Sequence, residues 1–324
     1  MPEIKAEKKR SVLITGAGGY IGRQLTTELS RDLAGINTVV ATDIAEVEPA
    51  KHIEGVIYKT LDVRSMELSA LLKRYQIDCV VHLASIVTPT PEMSREFLHD
   101  VEVKGTRHVV ESCIDAGVAQ IIITSSGAAY GYWADNPEWL DEFDALRGNA
   151  AFAYSDHKRQ VEEMLATFRR EHPQLKQLIL RPGTILGSTA RNQITALFEK
   201  PAVLGIYGAS SPFVLIWDRD VVGSIVKGIR ENSVGIYNLA GDGTLSMREM
   251  AKMLSKPYLS VPAWLLKSAL FLLKKVGLTQ YGPEQVGFLR YRPVLSNRRL
   301  KDEFGYIPKK TTRQTFEHYL TSNK

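Results

Sequence analysis

The stretch SVLITGAGGYIG, residues 11–22, joins a strand pattern to a glycine-rich turn and the start of a helix. Its first five residues are mostly apolar, as in a strand that is covered on both faces. Gly16, Gly19 and Gly22 have the spacing that lets a turn tighten, a backbone approach a pyrophosphate and a helix pack closely on a strand. A helix beginning near Tyr20 presents N–H groups to phosphates. The stretch predicts a dinucleotide-binding loop, and the alternative is an ordinary strand-to-helix turn with extra glycines.

The same alternation of strands and helices continues to residue 183. Near-continuous Val/Ile/Leu strands, each followed by an amphipathic helix, indicate a parallel sheet covered on both faces. Because crossovers between parallel strands are right-handed, the pattern predicts an α/β fold with a doubly wound parallel sheet. The predicted strands are 11–15, 37–43, 56–63, 78–85, 120–126 and 177–183, and the predicted helices are 20–33, 67–75, 96–116 and 154–171.

The chain is predicted to divide into a nucleotide-binding domain and a smaller lobe. Residues 1–187 form the nucleotide-binding domain, and a strand, helix and strand within 213–241 are expected to rejoin its sheet. Residues 188–212 and 242–324, where prolines interrupt the helices, are expected to form a C-terminal lobe that binds substrate.

Composition limits the classes of function. The 324 residues are 44% hydrophobic and carry a net charge of +5, without a Lys/Arg run interleaved with aromatic residues, which disfavours nucleic-acid binding. Cys79 and Cys113 lie in apolar contexts and are expected to be reduced core residues rather than a disulfide or metal pair. The N-terminus is charged and leads directly into a strand, so we expect no signal peptide and a cytoplasmic location.

Two acidic residues follow predicted strands. Asp43 ends the second strand, where a carboxylate accepts hydrogen bonds from ribose hydroxyls and repels a 2′-phosphate, which favours NAD over NADP. Arg23, near the glycine loop, is the feature that leaves NADP open. Asp62 is expected either to contact adenine or to cap the next helix.

Tyr154 and Lys158, in the sequence YSDHK, lie on one face of a predicted helix. A phenol with a pKa near ~10 is a poor acid–base catalyst at neutral pH. An ammonium group beside it favours the phenolate, so the pair is suited to proton transfer.

These motifs together resemble the extended short-chain dehydrogenase/reductase superfamily, the group often labelled NAD-dependent epimerase/dehydratase. The resemblance runs in family order from residue 11 to about 243, and 298–308 resembles the family's C-terminal segment. The matching segments are TGAGGYIG (15–22), Asp43, LDV (61–63), HLAS (82–85), VKGT (103–106), SSGAAYG (125–131), YSDHK (154–158), RPGTILG (181–187) and YNLAGDG (237–243).

The resemblance implies a Rossmann domain that binds NAD and a homodimer formed through helices 96–116 and 154–171. It implies that Ser126 hydrogen-bonds the substrate oxygen, with Ser125 as the alternative, that Tyr154 is the general acid or base, and that Lys158 holds the nicotinamide ribose. His82 is expected to be structural. The remaining cofactor contacts that the resemblance implies are Gly16, Gly19, Tyr20, Ile21, Gly22, Asp43, Asp62, Val63, Leu83, Ala84, Ser85, Arg181 and Pro182.

Three departures from the family pattern narrow the reaction. Ser126 and Gly127 replace the acid pair of the 4,6-dehydratases, which disfavours elimination. Phe213 stands where nucleotide-sugar epimerases commonly carry an Arg that grips the diphosphate, and Glu102 stands where Asn is common. Three other arginines are candidates to take the role of that Arg, and each is equally well interpreted as a surface residue: Arg191, Arg290 and Arg292.

The segment 260–278 is unusually apolar for a substrate lobe, with Leu265, Ala269, Leu272 and Val276 on one helical face. It is expected to be core or a dimer contact, with an apolar substrate pocket or a membrane surface as alternatives.

The sequence as a whole predicts an NAD-dependent oxidoreductase or epimerase that acts on a secondary alcohol or ketone of a sugar or nucleotide-sugar-like substrate. The alternatives are a dehydrogenase or reductase of an apolar alcohol, similar to 3β-hydroxysteroid dehydrogenases, and a non-catalytic NAD-binding regulator.

Overall fold

The computed structural model describes residues 9–191, 193–210, 212–278, 282–283 and 285–322. Its main sheet has seven parallel strands in the order β3-β2-β1-β4-β5-β6-β10. These strands are β1 (Arg10–Thr15), β2 (Ile36–Asp43), β3 (Val56–Thr60), β4 (Cys79–His82), β5 (Gln120–Thr124), β6 (Lys176–Pro182) and β10 (Gly235–Leu239). The α/β doubly wound sheet predicted from the alternation is confirmed, and β10 lies at the edge of the sheet beside β6.

Helices cover both faces of this sheet and bury one apolar cluster on each. On one face, Leu25 and Leu29 pack with Ile225 and Ile229 against the strands. On the other face, three helices cover a second apolar cluster, which includes Val110. The covering helices are α1 (Tyr20–Arg31) and α7 (Asp218–Arg230) on the first face, and α2 (Glu67–Arg74), α4 (Gly105–Ala116) and α5 (Ala153–Glu171) on the second.

The remaining elements build a smaller lobe around a third cluster, which includes Phe198, Phe213 and Phe316. Two small parallel sheets, β7–β9 and β8–β11, belong to this part of the chain. Its strands are β7 (Thr184–Leu186), β8 (Val203–Ile206), β9 (Leu215–Trp217) and β11 (Tyr258–Val261). Its helices are α6 (Gln193–Phe198), α8 (Met247–Met253), α9 (Ala263–Lys275), α10 (Gln285–Arg290), α11 (Arg298–Asp302) and α12 (Thr312–Ser322).

The helix predicted over 96–116 is interrupted. A short helix α3 (Arg95–His99) passes through a π turn, Asp100–Lys104, before α4 begins. Such π turns widen a helix locally and are frequent at functional sites. Here the turn contains Glu102, which is buried.

Two further sequence expectations concern the chain as a whole. Cys79 and Cys113 are free and buried, which confirms them as core residues. Among the described residues, no helix has both the length and the apolar character needed to cross a bilayer.

Candidate active site

A cavity of about 540 Å³ lies outside the carboxyl ends of the central strands. The strand order reverses between β1 and β4, and doubly wound folds bind ligands at such a reversal. The cavity is lined by eleven of the residues expected at the site: Gly16, Gly19, Tyr20, Ile21, Gly22, Leu83, Ser85, Ser126, Tyr154, Lys158 and Pro182.

The glycine loop leaves no space for side chains at two positions. Gly16 has φ +68°, and a Cβ there would lie 2.6 Å from the backbone nitrogen of Ala84. A Cβ on Gly22 would lie 2.2 Å from the carbonyl oxygen of Gly16. The loop therefore brings bare backbone to the N-terminus of α1, which fits a dinucleotide whose pyrophosphate is held by N–H groups.

Asp43 lies directly beside this loop. Its Oδ2 accepts a hydrogen bond from the backbone N–H of Gly18 at 2.9 Å, and Arg23 Nη1 donates to the carbonyl oxygen of Gly18 at 2.8 Å. Arg23 is thus engaged with the loop backbone, while Asp43 places a negative charge at the end of β2. This arrangement fits the ribose hydroxyls of NAD.

Three other expected cofactor residues lie away from the cavity wall. Asp62 pairs with Arg64 at 2.6 Å near the surface, and Val63 is packed in the second apolar cluster. Ala84 lies behind the glycine loop, where its backbone contacts the position of Gly16. Their contribution to cofactor binding stays a prediction.

Arg181 requires a correction. The sequence placed it against the cofactor, but it is 3% exposed, and its Nη2 lies 2.6 Å from Glu162 Oε2. Its Nη1 also donates to Tyr130 Oη at 2.7 Å. The guanidinium is thus held in a buried hydrogen-bond network behind β6. Side chains alternate between the two faces of a strand, and of the neighbours Arg181 and Pro182 only Pro182 lines the cavity.

Ser125 and Ser126 both line the cavity, but their hydroxyl groups make different hydrogen bonds. Ser126 Oγ accepts a hydrogen bond from the N–H of Ala128 at 3.1 Å, which leaves its own O–H available as a donor. Ser125 Oγ donates to Glu162 Oε1 at 2.5 Å in the buried network. This geometry supports Ser126 in the role that the resemblance implies.

Gly127, the next residue, is packed tightly against the C-terminal part of the chain. A Cβ at Gly127 would lie 3.0 Å from Leu295 Cδ1 and 3.1 Å from its Cδ2. A side chain at this position is therefore in tight contact with Leu295, which has to shift slightly to make room for it.

Tyr154 lies in the first turn of α5, and Lys158 lies one turn further along the same face. The Lys158 ammonium is 5.6 Å from the centroid of the Tyr154 ring. Both residues line the cavity with Ser126. The fold therefore gathers the predicted triad of side chains from β5 and α5 at one place.

Glu102 holds Lys158 in position. Its Oε2 lies 3.1 Å from Lys158 Nζ, and its Oε1 accepts from Ser85 Oγ at 2.8 Å and from the N–H of Ile86 at 2.5 Å. Burial by itself opposes both charges, but each charge offsets the other. The pKa of Lys158 is consequently raised by the charges of Glu102 and Tyr154, and the pKa of Glu102 is lowered by Lys158 and its hydrogen bonds to Ser85 and Ile86. The sequence marked Glu102 only as a departure and missed this pairing.

Arg292 enters the cavity from the smaller lobe. Its Cζ lies 3.7 Å from the ring centroid of Phe213 and 4.0 Å from that of Phe288. Its Nε and Nη2 are buried and have no hydrogen-bond partner among the described residues. Burial lowers the pKa of this guanidinium, an effect that a bound anion reverses. Arg292 thus lies against the phenylalanine that replaces the expected Arg.

Aromatic rings form the wall between Arg292 and Tyr154. Phe288 lies 5.1 Å from Tyr132 and 5.9 Å from Phe152, and Phe152 lies 6.3 Å from Tyr154, all measured between centroids. No sequence pattern indicated this grouping, because its members are far apart along the chain.

His82 is structural in this arrangement, as expected. Its ring nitrogens lie 2.8 Å from Thr15 Oγ1 and 3.0 Å from Thr106 Oγ1. Burial, with a smaller contribution from Lys158, lowers its pKa to about 4, so the ring is neutral at pH 7.

The fold and the site define a nucleotide-binding α/β protein of the doubly wound class, with a Ser-Tyr-Lys set beside its glycine loop. A family model described as the NAD dependent epimerase/dehydratase family matches residues 12–205. The chain belongs to this family, and it is an NAD-dependent enzyme.

Similar proteins include a Mycobacterium tuberculosis protein described as uncharacterised, 24% identical over 95% of this chain and 83% of that protein. An N-acetyl-α-D-glucosaminyl-diphospho-ditrans,octacis-undecaprenol 4-epimerase of Escherichia coli O157:H7 is 31% identical over 59% of this chain and 54% of its own length. Among solved structures, MoeE5 in complex with UDP-glucuronic acid and NAD has a TM-score of 0.75 at 22% identity, covering 96% of this chain and 98% of MoeE5. The UDP-glucose 4-epimerase of Thermus thermophilus has a TM-score of 0.71 at 21% identity, covering 96% of this chain and 99% of the epimerase.

Proposed function

We propose that the protein oxidises and reduces a secondary alcohol of a sugar that carries an anionic group, such as a nucleotide sugar, in a dehydrogenation or an epimerisation. The observation that carries the proposal is the guanidinium of Arg292, whose Nε and Nη2 are buried and lack hydrogen-bond partners among the described residues. A buried, unpaired cation is costly, and a phosphate or carboxylate on the substrate offsets that cost. Arg292 lines the same cavity as Tyr154. It is therefore suited to bind the anionic group of a substrate while the carbon that reacts lies in another part of the cavity.

The chain's own residues account for the proton chemistry. NAD, when bound, supplies the two-electron acceptor, and NADH the donor. Tyr154 Oη takes the hydroxyl proton as the carbinol carbon is oxidised and returns a proton to the oxygen when the ketone is reduced. Ser126 donates a hydrogen bond to the same oxygen. The ammonium of Lys158, fixed by Glu102 and Ser85, stabilises the negative charge on Tyr154.

Two of the similar proteins support the choice of substrate class. The Escherichia coli relative is described as acting on a diphospho-linked sugar, and MoeE5 was solved with a nucleotide sugar. The lack of an acid pair at Ser126 and Gly127 supports redox chemistry or epimerisation over elimination.

A second candidate is a dehydrogenase of an apolar alcohol, because Tyr132, Phe152 and Phe288 form an aromatic wall. Such a substrate leaves Arg292 without an anionic partner, which is why we place it second.

The test compares UDP-hexoses, free hexuronates and sterols as substrates, with NADH formation and product stereochemistry as readouts. We expect turnover of the anionic sugars. Tyr154→Phe should lower kcat by about 10²- to 10⁴-fold and leave NAD affinity, measured by calorimetry, unchanged. Turnover of sterols alone would favour the second candidate. Unchanged activity in Tyr154→Phe with intact NAD binding would contradict the catalytic role and favour a non-catalytic regulator.

A further inference from the structure

Helix α9 carries an apolar surface that the rest of the described chain leaves uncovered. None of its residues is buried. Trp264, Leu265, Phe271 and Leu272 on one side of the helix, and Val276 just beyond its C-terminal end, are between 47% and 69% exposed. We call these five residues the α9 face. Their spacing of seven and four residues places them on one broad stripe of the helix. A contiguous exposed patch of large apolar side chains marks an interaction site.

Further exposed apolar residues lie on the strands that precede the helix. β11 leads directly into α9 and pairs with β8, and Leu204 and Leu259 on these strands are exposed, as is Tyr207 just after β8.

The charged residues of this region are all basic. Between Glu249 and Glu284 the sequence contains five lysines and no acidic residue. Lys267 and Lys275 lie on α9 itself, and both are exposed. Lysines of this kind extend their charged ends to lipid headgroups while neighbouring apolar residues enter the interface.

We propose that the α9 face binds the surface of an anionic lipid bilayer. The helix is about 20 Å long at 1.5 Å per residue, which suits a helix lying in the interface rather than across the bilayer. Trp264 at its N-terminal end is the residue type that is enriched at membrane–water interfaces. Lys267 and Lys275, both exposed on α9, match a surface of negative headgroups.

The same charges disfavour a second copy of the chain as the occupant. In a two-fold symmetric contact the same patch meets itself, so Lys267 and Lys275 of one copy would lie near those of the other. α9 itself carries no carboxylate that could pair with them. A bilayer with anionic lipids satisfies both the apolar and the basic components of the surface.

Membrane binding would also bring the cavity close to the lipid. α9 packs against α10, and Phe288 on α10 lines the cavity and stacks on Arg292. The α9 face and the substrate cavity are thus linked by one short helix.

The test is flotation of the full chain with vesicles of phosphatidylcholine alone and with one-third phosphatidylglycerol. We expect binding to the anionic vesicles that falls with added salt. Trp264→Ser with Phe271→Ser should weaken partitioning by roughly 100-fold, and Lys267→Gln with Lys275→Gln by roughly 25-fold. Phe143→Ser with Ile307→Ser, at residues exposed elsewhere to 79% and 73%, is the matched control and should have no effect.

Melting temperature and NAD affinity, measured without substrate, establish that each variant is folded. The proposal is overturned if the wild type floats with neither vesicle, binds both equally, or is affected as strongly by the control pair. Self-association that is lost in Trp264→Ser with Phe271→Ser, without vesicle binding, would identify a second copy as the occupant. These results are independent of the substrate that the active site takes.

Discussion

Arg181 is buried and Arg292 has two buried guanidinium nitrogens, yet the surroundings of the two side chains differ completely. Arg181 makes a two-pronged contact with Glu162, with its Nη2 2.6 Å and its Nε 2.9 Å from the carboxylate oxygens, and it also donates to Tyr130. Arg292 is stacked between Phe213 and Phe288, and its Nε and Nη2 find no partner among the described residues. Arg181 is satisfied within the protein, whereas Arg292 is arranged for a group that comes from outside.

The comparison shows that burial alone does not distinguish a structural charge from a functional one. A buried ion pair is costly to break because the remaining partner keeps its charge in a medium that solvates it poorly. A buried charge whose N–H donors are unpaired has already lost the favourable free energy of hydration, and it regains favourable interactions only when an anion binds. Counting hydrogen-bond partners therefore separates the two arginines.

The largest effect should come from removing the partner of Arg181. Glu162→Gln leaves a buried guanidinium without its counter-charge, and we expect a loss of about 3–5 kcal/mol in the free energy of unfolding, measured with urea. Glu163→Gln is the matched control, because Glu163 lies next on α5 and makes an exposed pair with Arg159. We expect that control to cost less than about 1 kcal/mol. Equal losses in the two variants would remove the distinction drawn for Arg181.

A smaller effect, and one of a different kind, is expected from Arg292→Met. The apolar side chain still packs between the two phenylalanines, so stability should be retained or increase. The KM for an anionic sugar should rise by roughly 10- to 100-fold, the equivalent of one or two charge-assisted hydrogen bonds, while kcat changes less. Steady-state kinetics tests the expected rise in KM, and urea unfolding of the same preparation tests the expected stability. A fall in stability with unchanged KM would make Arg292 a structural residue like Arg181.

The pair of Glu102 and Lys158 lies between these cases, because it is buried and paired but also borders the cavity. Glu102 raises the pKa of Lys158, so its ammonium form persists to higher pH. In Glu102→Gln that contribution is absent, so Lys158 loses its proton at lower pH and the alkaline limb of the kcat profile should move to lower pH. We expect kcat at neutral pH to fall by about tenfold, the order of one charge-assisted hydrogen bond.

Two comparisons make the Glu102 measurement specific. Glu111→Gln, at an exposed position on α4 that faces Arg107, should leave the pH profile unchanged. Glu102→Asp should restore part of the alkaline limb, because it keeps the negative charge. A profile that is lower at every pH but unmoved along the pH axis would show that Glu102 supports the fold and not the charge of Lys158.

The sequence predicted the parts of the site that depend on local pattern. The glycine loop, Asp43 and the Tyr154–Lys158 pair each lie within one strand–turn–helix unit or one helical turn, where spacing determines which groups meet. Arg181 was misplaced because a strand residue next to the cavity lies on either face of the sheet, and a register of one residue decides which.

The remaining features depend on contacts between distant segments. Arg292 and Phe213 belong to distant segments of the smaller lobe and meet only when that lobe folds. Glu102 reaches Lys158 because a π turn places it inward, and no periodicity in the sequence signals that turn. Phe213 and Glu102 were visible in the sequence as departures from the family pattern, but their partners were not.

The contact between Gly127 and Leu295 limits how this scaffold can change. An acidic residue at position 127 meets the Leu295 side chain at about 3.0 Å, so either Leu295 shifts or a smaller residue at 295 makes room for it. The truncation by itself opens a void beside Tyr130 and Leu140 in a packed cluster and is destabilising. The two positions are therefore coupled. A conversion of this enzyme to elimination chemistry, by evolution or by design, involves position 295 as well as position 127.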